Sequence, residues 1–169
     1  TGTTHSCALT IAGAVKCWGL NANGQLGDGT PTQRLTAVAV SGLSSGVAAL
    51  TAGTAHTCAL TTAGGVKCWG LNTNGQIGDG TTTQRLTPVD VSGLTSGVTA
   101  IAAGQTHTCA LVTSIGVKCW GQNSEGELGD GTAGTRPFPG NVLIVGPATQ
   151  LAISSVNGGS SVNVGTVFN

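Results

Sequence analysis

A repeat of 51 residues is the feature that most constrains this 169-residue chain. One pattern, His-Ser/Thr-Cys-Ala-Leu, occurs at residues 5–9, 56–60 and 107–111, and a second, Val-Lys-Cys-Trp-Gly, occurs at 15–19, 66–70 and 117–121. A third, Leu/Ile-Gly-Asp-Gly-Thr, occurs at 26–30, 77–81 and 128–132. Because no insertion interrupts the offset, the sequence predicts three equivalent units, at about 1–46, 47–97 and 98–146.

Each unit predicts about four short β-strands. Residues 57–61 and 66–69 are β-rich runs separated by 62–64, Thr-Ala-Gly, which suits a three-residue hairpin loop. Residues 87–91 alternate like an exposed strand, and residues 98–103 are small and apolar, as in a crowded buried strand. No segment shows helical periodicity. Four strands in each unit of this length predict a β-propeller blade or a coil of a β-solenoid.

The repeated pattern resembles a known family. It reads Ala-Gly-x-x-His-Thr-Cys-Ala-Leu, then Val-Lys-Cys-Trp-Gly-x-Asn-x-x-Gly-x-Leu-Gly-Asp-Gly-Thr, then Pro-Val-x-Val, and it extends over about residues 1–145. It is similar to the regulator of chromosome condensation repeat, and more closely to the cysteine-containing form of large secreted bacterial proteins. The resemblance implies an all-β fold of about three four-stranded propeller blades. Since the family's propeller usually has seven blades, it also implies an incomplete propeller, whose first unit lacks the small-residue strand.

The C-terminal residues 147–169 depart from the repeat. Residues 147–160 resemble the opening strands of bacterial Ig-like modules, and residues 162–168 would form the next strand. Because an Ig-like sandwich needs about 100 residues, we expect an extended β tail that requires a partner. The alternative makes residues 150–155 the first strand of a fourth blade, although no His-Thr-Cys strand follows them.

The cysteines occur as one pair in each unit. The pairs are Cys7 with Cys17, Cys58 with Cys68, and Cys109 with Cys119. A hairpin loop at 62–64 places Cys58 directly opposite Cys68, where Cβ atoms lie about 5 Å apart, close to disulfide geometry. We therefore expect three disulfides and an oxidising, extracellular compartment. Free buried thiols, or a metal held by His56 with the two sulfurs, are the alternatives.

The histidines and tryptophans are copied with the repeat: His5, His56 and His107, and Trp18, Trp69 and Trp120. Catalysis normally gathers unlike groups at one point, whereas a repeat distributes like groups. We therefore expect each histidine to bond the backbone of a neighbouring blade. Each tryptophan is expected to pack between blades beside a disulfide. The alternative for the tryptophans is an exposed ring that stacks on sugars.

Nine of the charged residues also follow the repeat: Lys16, Lys67, Lys118, Arg34, Arg85, Arg136, Asp28, Asp79 and Asp130. We expect each aspartate to lie in a structural Gly-Asp-Gly turn, with the arginine pairing to it or to a carbonyl. Glu125, Glu127 and Asp130 form a small acidic cluster, but it lacks the regular spacing of strong calcium loops. The sequence therefore predicts no catalytic residue, no cofactor and no metal ion.

The composition limits the classes of partner. Six basic and six acidic residues give zero net charge, and 7% of residues are charged. This balance provides no basic surface for nucleic acid or an anionic membrane, and no apolar run reaches the roughly 18 residues that span a bilayer. A surface with so few charges favours a location outside the cell, or at its surface, or within an assembly.

Together these patterns predict a non-enzymatic, extracellular structural or adhesive repeat protein, present as a processed or excised part of something longer. We expect it to assemble through its open blade edges and its C-terminal strand, as a homo-oligomer, a polymer or a filament, or to join neighbouring domains. The alternative is a propeller module of a larger secreted surface protein that binds carbohydrate or protein, through loops such as residues 72–76. The resemblance also raises the nuclear family's activity, nucleotide exchange on a small GTPase, but that activity uses a complete ring.

Overall fold

The fold was taken from a computed structural model, which describes residues 1–144 with their side chains and the backbone of residues 151–153 and 164–166. The strands are β1 (His5–Leu9), β2 (Val15–Gly19), β3 (Arg34–Ala39), β4 (Val47–Ala52), β5 (His56–Thr61), β6 (Val66–Gly70), β7 (Arg85–Asp90), β8 (Val98–Ala103), β9 (His107–Val112), β10 (Gly116–Gly121), β11 (Arg136–Asn141), β12 (Leu151–Ile153) and β13 (Val164–Thr166). The described residues include no helix, and hence none long and apolar enough to cross a membrane.

The first eleven strands form three antiparallel meanders, which we call blades 1 to 3. Blade 1 has the order β1-β2-β3, blade 2 the order β4-β5-β6-β7, and blade 3 the order β8-β9-β10-β11. The all-β prediction is confirmed, and so is the prediction that the first unit lacks the small-residue strand. Blades 2 and 3 begin at Val47 and Val98, one repeat apart.

The hairpin register follows the local turn chemistry. Cys58 lies opposite Cys68 and Leu60 opposite Val66, as the proposed loop requires. The loop closes with a hydrogen bond of 2.8 Å from the Thr61 N–H to the Gly65 carbonyl. Gly64 has φ +79°, a left-handed conformation that side chains disfavour. The next pairing, β6 with β7, shifts register between Cys68 and Gly70, which adds local twist to the blade.

The apolar core lies between successive blades. Trp69 of blade 2 is buried with Leu26 and Val40 of blade 1, and Trp120 of blade 3 is buried with Ile77 and Val91 of blade 2. Each blade therefore completes the core of the blade before it. The prediction for β8 needs a correction, because only Val98 and Ala102 are fully buried, while the rest of this strand is half-buried or exposed. The strand is at the edge of its sheet and lies against β4 and β5.

The described part of the tail is a short pair of strands. β12 and β13 are antiparallel, with Leu151 opposite Thr166 and Ile153 opposite Val164. β12 lies next to β8, just as β4 lies next to β1 and β8 next to β4. This position is the one that the fourth-blade alternative predicts for its first strand. The other residues of the Ig-like and fourth-blade predictions lie outside the described residues.

Candidate functional site

A chain of hydrogen bonds crosses the junction between blades 1 and 2. His5 Nε2 lies 2.8 Å from the Thr57 hydroxyl. That hydroxyl donates to the backbone carbonyl of Gln25 at 2.9 Å, and the indole Nε1 of Trp69 donates to the same carbonyl at 2.9 Å. The carbonyl thus accepts two hydrogen bonds, one on each lone pair.

The junction between blades 2 and 3 repeats this arrangement. His56 Nε2 lies 2.9 Å from the Thr108 hydroxyl. The Gln76 carbonyl accepts from Thr108 at 3.1 Å and from Trp120 at 3.0 Å. His56, Thr108 and Trp120 are fully buried. We call the set of histidine, threonine, carbonyl and tryptophan the junction relay.

The relay fixes the protonation of its histidines. The single hydroxyl hydrogen of Thr57 goes to the Gln25 carbonyl, so His5 Nε2 must be the donor to the Thr57 oxygen. The ring is then neutral, with its proton on Nε2. Its Nδ1 is buried and has no hydrogen-bond partner within the part of the chain that the structure describes. A second proton on Nδ1 would therefore be a buried, unpaired donor, which is unfavourable.

Burial accordingly depresses the pKa of all three histidines. The pKa of His5 falls to about 4, mainly by loss of hydration and then by the positive N-terminus. The pKa of His56 falls to about 3, mainly by burial, with the other two histidines adding to the effect. Burial also lowers the pKa of His107, partly opposed by the charge of Glu127. All three rings are neutral at pH 7.

Each His–Thr pair resembles a general base beside a nucleophile, but its hydrogen bond has the opposite direction to the one that catalysis requires. His56 donates to Thr108 instead of accepting its proton, by the same argument as for His5, and both side chains are buried. The expected role of the histidine needs a correction. It bonds a threonine hydroxyl of the next blade, while the tryptophan makes the bond to backbone, because its Nε1 reaches the carbonyl of the preceding blade.

A glycine lies against each relay histidine, three residues before it. A Cβ on Gly53 would lie 2.2 Å from His56 Cε1 and 2.5 Å from the Gly104 carbonyl oxygen. Gly2 and Gly104 are packed in the same way on His5 and His107. The Ala-Gly-x-x-His part of the repeat is therefore explained by packing.

Gly53→Ala should lower the free energy of unfolding by about 3 kcal/mol, because the added methyl group displaces a buried ring against fixed backbone. Urea denaturation of the full chain measures the change. Gly134→Ala is the matched control, since a Cβ there meets no atom within 4 Å, and we expect it to change stability by less than about 0.5 kcal/mol. Equal stability of the two variants would contradict the packing argument.

The tryptophans do not form an exposed ring. Trp69 and Trp120 are 0% exposed, and Trp18, in the first blade, is half-buried. Each buried indole lies on a glycine of the preceding blade, because a Cβ on Gly27 would be 2.7 Å from Trp69 Nε1 and one on Gly78 would be 2.5 Å from Trp120 Nε1. The position between blades is the one expected from the sequence. The sugar-stacking alternative requires three exposed indoles, and two of them, Trp69 and Trp120, are buried.

The aspartates organise the loop after β2 and its equivalents. The Asp28 carboxylate accepts from the Thr30 N–H at 3.0 Å, from the Thr30 hydroxyl at 2.8 Å and from Arg34 Nε at 2.8 Å. Asp79 makes the same contacts with Thr81 and Arg85. The third copy pairs Asp130 with Thr132 and Arg136.

These hydrogen bonds determine the charge state of the carboxylates. Burial acts to raise the pKa of Asp28, but the hydrogen bonds from Arg34 and Thr30 outweigh it and hold the pKa below its ordinary value. The pKa of Asp79 is lowered by the same balance. For Asp130 the Thr132 hydroxyl is the largest cause of the lowered pKa. Each carboxylate is therefore ionised at pH 7 and pairs with the threonine and the arginine of its own loop.

Sequence reasoning missed three asparagines that complete the loops: Asn21, Asn72 and Asn123, all 0% exposed. Asn72 Oδ1 accepts from the Ile77 N–H at 2.9 Å, and its Nδ2 donates to two carbonyls of the loop. Gln76 is also buried. The loop at residues 72–76, expected as a ligand surface in the alternative function, thus directs two of its polar side chains inward. The recurrence of the asparagine at the repeat offset was the available signal.

The cysteines form one disulfide across each hairpin: Cys7–Cys17, Cys58–Cys68 and Cys109–Cys119. None of the six is free. Within residues 1–144 no group of three His, Cys, Asp or Glu side chains could hold a metal ion. In the acidic cluster, Glu127 accepts from the backbone N–H of Glu125 at 2.8 Å.

Comparison with known sequences identifies the repeat. The Regulator of chromosome condensation (RCC1) repeat matches residues 1–25, 47–76 and 98–127, and a second pattern of the same description matches residues 63–111. The probable E3 ubiquitin-protein ligase HERC4 of Homo sapiens is 37% identical over 141 residues, which are 82% of this chain and 13% of that protein. The chain therefore spans a small part of the length of this relative.

Comparison with solved structures gives the fold. Human WBSCR16 has a TM-score of 0.75 at 25% identity, covering 89% of this chain and 40% of that one. Yeast RCC1 (Prp20), solved bound to Kap60, has a TM-score of 0.76 at 20% identity, covering 86% and 36%. The incomplete propeller is thereby confirmed. The chain belongs to the Regulator of chromosome condensation (RCC1) repeat family.

Proposed function

We propose that this chain is a non-enzymatic, extracellular structural and adhesive repeat protein that assembles with copies of itself or with neighbouring domains of a longer chain. The observation that carries the proposal is the disulfide across the hairpin of every blade. Disulfides of this structural kind persist in oxidising compartments, outside the cell or at its surface. The repeated polar side chains support the absence of catalysis, because the junction relay and the Asp-centred loops already engage them.

Open sheet edges support assembly. β1 has β2 on one side and, among the described strands, no partner on the other. The equivalent strands β5 and β9 are covered by β4 and β8. An uncovered edge presents unpaired backbone groups that accept a strand from another chain. We propose the C-terminal strand as one source, with a filament as one form of the assembly.

Finer parts of the proposal rest on the sequence resemblance. We propose the secreted bacterial form of the repeat, blade boundaries at about 1–46, 47–97 and 98–146, and a tail at 147–169 that begins an Ig-like module. Glycans on the abundant threonines and serines are a further proposal, and neither nucleic acid nor a membrane is a proposed partner.

Binding of another protein is the second candidate function. It is supported by the yeast RCC1 structure, which is a complex with Kap60, and by large apolar side chains on the surface, including Leu35 at 87% and Phe138 at 53% exposure. The burial of two tryptophans favours protein over carbohydrate as the ligand of such a module.

Labelling of intact producing cells tests the location. A membrane-impermeant amine reagent should modify the exposed lysine Lys16, and the isolated chain should contain no free thiol without reductant. Protection of the chain until the cells are lysed, or six reactive thiols in native material, would contradict an extracellular function. Light scattering should show a mass that rises with concentration above that of one chain, 16.4 kDa. A mass that stays at one chain while a partner protein binds would favour the second candidate.

A further inference from the structure

Every blade ends in an outer strand that has a neighbour on one side only. β3, β7 and β11 each pair with the strand before them and, among the described strands, with none beyond. Blade 2 contacts both of the other blades, and its β7 is still an edge strand. The open outer edge is therefore a property of each blade and not of its place in the chain. Such an edge presents unpaired backbone groups that can pair with a further strand.

The backbone direction of β3 determines which groups its outer edge presents. The Val40 N–H donates to a carbonyl at the start of β2 at 3.1 Å, so this residue faces inward. Backbone groups alternate in direction along a strand. Ala37 and Ala39 therefore direct their N–H and C=O groups away from β2, and the side chains of both are exposed.

Blades 2 and 3 carry a proline where β3 has Ala37. Pro88 lies one repeat later, in β7, and Pro139 lies two repeats later, in β11. Proline has no N–H to donate, so within sheets it is tolerated where the N–H faces solvent at an edge. The two prolines thus support the outward direction of this position. They also remove a donor that an added strand would need, whereas β3 retains it.

A polar side chain next to the proline further protects the other two edges. Asp90 stands one repeat after Ala39, and its side chain is 66% exposed and pairs with Lys67 at 2.7 Å. Asn141 has the same position in blade 3. Prolines and charged side chains are devices by which edge strands avoid pairing with other chains. β3 has neither, because residues 35–39 contain no proline and no charge.

Contact with a preceding blade does not cover this part of an outer strand. Blade 2 has blade 1 before it, and there the Gly29 N–H donates to the Leu86 carbonyl at 3.0 Å. That bond lies two residues before Pro88, and the side chain of Asp90, farther along, stays exposed. Residues 37–39 of β3 correspond to residues 88–90, beyond the point of contact.

We infer that the outer edge of β3 binds the same edge of a second copy of this chain, as an antiparallel pair about a two-fold axis at Val38. Ala37 of each copy then lies opposite Ala39 of the other, and each such pair exchanges two backbone hydrogen bonds. The inference rests on the proposed self-assembly and deepens it by naming the strand. Because the two surfaces are the same, the contact closes as a dimer.

Charge and side-chain size favour an identical strand as the occupant. Two-fold pairing brings Val38 opposite its own copy and alanine opposite alanine, so no like charges meet. Arg34, at the start of β3, is already paired with Asp28 of its own loop at 2.7 Å. The chain has zero net charge, so two copies do not repel each other. One short strand from each copy buries less area than a standard interface, so we expect a dimer only at high concentration.

Amide hydrogen exchange of the full wild-type chain, resolved by NMR, tests the contact directly. In dilute solution the Ala37 and Ala39 amides should exchange rapidly. As light scattering shows the mass rise toward two chains, their exchange should slow at least about tenfold. The Asp90 and Asn141 amides, on the protected edges, are internal controls whose exchange should stay constant. Slow exchange of Ala37 in a monomer would place a segment of the same chain on the edge and overturn the inference.

Variants that copy the other blades locate the contact. Ala37→Pro should weaken self-association at least about tenfold, because it removes two of the four hydrogen bonds. Proline fits this position in β7 and β11, so the variant should fold, and Ala37→Ser, which keeps the N–H, is its control. Ala39→Asp should weaken association as well, whereas Ile11→Asp, at a site 110% exposed on a hairpin turn, should not.

The outcomes separate this contact from the proposed self-assembly. If Ala37→Pro and Ala39→Asp associate as tightly as their controls, the β3 contact is wrong while self-assembly stands. A wild-type chain that remains a monomer at every concentration would overturn both.

Discussion

Reduction of the three disulfides is expected to lower the free energy of unfolding by about 8 kcal/mol, which is comparable to the whole stability of an ordinary domain. Each bond closes a short hairpin, between cysteines separated by 10 positions, and in the chain-entropy model such a loop contributes about 2.8 kcal/mol. The three loops do not overlap in sequence, so their contributions should add. Urea denaturation of the full chain with and without reductant measures the difference.

The order of reduction should follow burial. Cys17, Cys58, Cys68 and Cys109 are 0% exposed and Cys119 is 2% exposed, whereas Cys7 is half-buried at the open side of blade 1. A small reductant therefore reaches the first pair before the others. Trapping of the earliest thiols and mapping by mass spectrometry should identify Cys7 and Cys17.

One pair can be removed without reductant. The double variant Cys58→Ala/Cys68→Ala should be about 3 kcal/mol less stable than the wild type under oxidising conditions. Under reducing conditions its further loss should be about 5.5 kcal/mol, from the two pairs that remain. An unfolding curve that reductant leaves unchanged, with six free thiols verified, would show that the disulfides do not stabilise the fold.

The blade could be predicted from sequence because its contacts are local. The loop at residues 62–64 fixes the register, and that register alone brings Cys58 opposite Cys68. A separate local signal, the run of small apolar residues at 98–103, predicted β8 where the structure has it. The first prediction needs only turn chemistry and the second only the composition of a short segment.

The junction relay could be predicted only in part, because it joins residues of different blades. Its bonds link positions 52 residues apart, as in His5 with Thr57, and 44 residues apart, as in Trp69 with Gln25. Their geometry depends on how one blade is rotated against the next, which the pattern of a single blade does not contain. Sequence reasoning therefore assigned the backbone bond to the histidine, although the tryptophan makes it.

The buried asparagines were missed for a different reason. Asn72 lies in a segment rich in turn residues, where polar side chains are usually exposed. Its amide instead replaces missing backbone partners inside the loop, accepting from Ile77 and donating to the Thr81 and Thr83 carbonyls. Only the exact recurrence of the asparagine, one repeat apart, distinguishes this role from that of an ordinary turn residue.

Acidification from pH 7 to pH 4.5 is expected to lower the free energy of unfolding by about 3–5 kcal/mol. The histidines of the unfolded chain take up protons near pH 6.5, whereas the folded chain holds the pKa of His5 at about 4 and that of His56 at about 3. At pH values between the folded and the unfolded pKa of each ring, the unfolded state binds more protons than the folded state. The histidine contribution is therefore complete above pH 6.5 and is lost as the pH falls toward 4, by up to about 1.4 kcal/mol per pH unit for each ring.

The pH range from 7 to 4.5 separates the contribution of the histidines to stability from that of the aspartates. The pKa of Asp28, Asp79 and Asp130 lies below the ordinary value of 3.8 in the folded chain, so above pH 4.5 these groups are mostly ionised in both states and contribute little to the slope. Below pH 3.8 their contribution is lost as well, because protonation removes the acceptors of the loops. Urea denaturation at constant ionic strength, in steps of half a pH unit, resolves the two ranges.

His5→Gln is the control for the pH dependence. A glutamine amide can donate to the Thr57 hydroxyl in place of the ring but does not titrate, so the variant should lose stability at pH 7 and yet show a shallower slope between pH 6.5 and 4.5. A flat wild-type profile over that range would mean that the histidines are already protonated in the folded chain. In that case His5 Nε2 would still donate to Thr57, but the ring would also carry a proton on its buried Nδ1, and the neutral state derived for the relay histidines would be wrong.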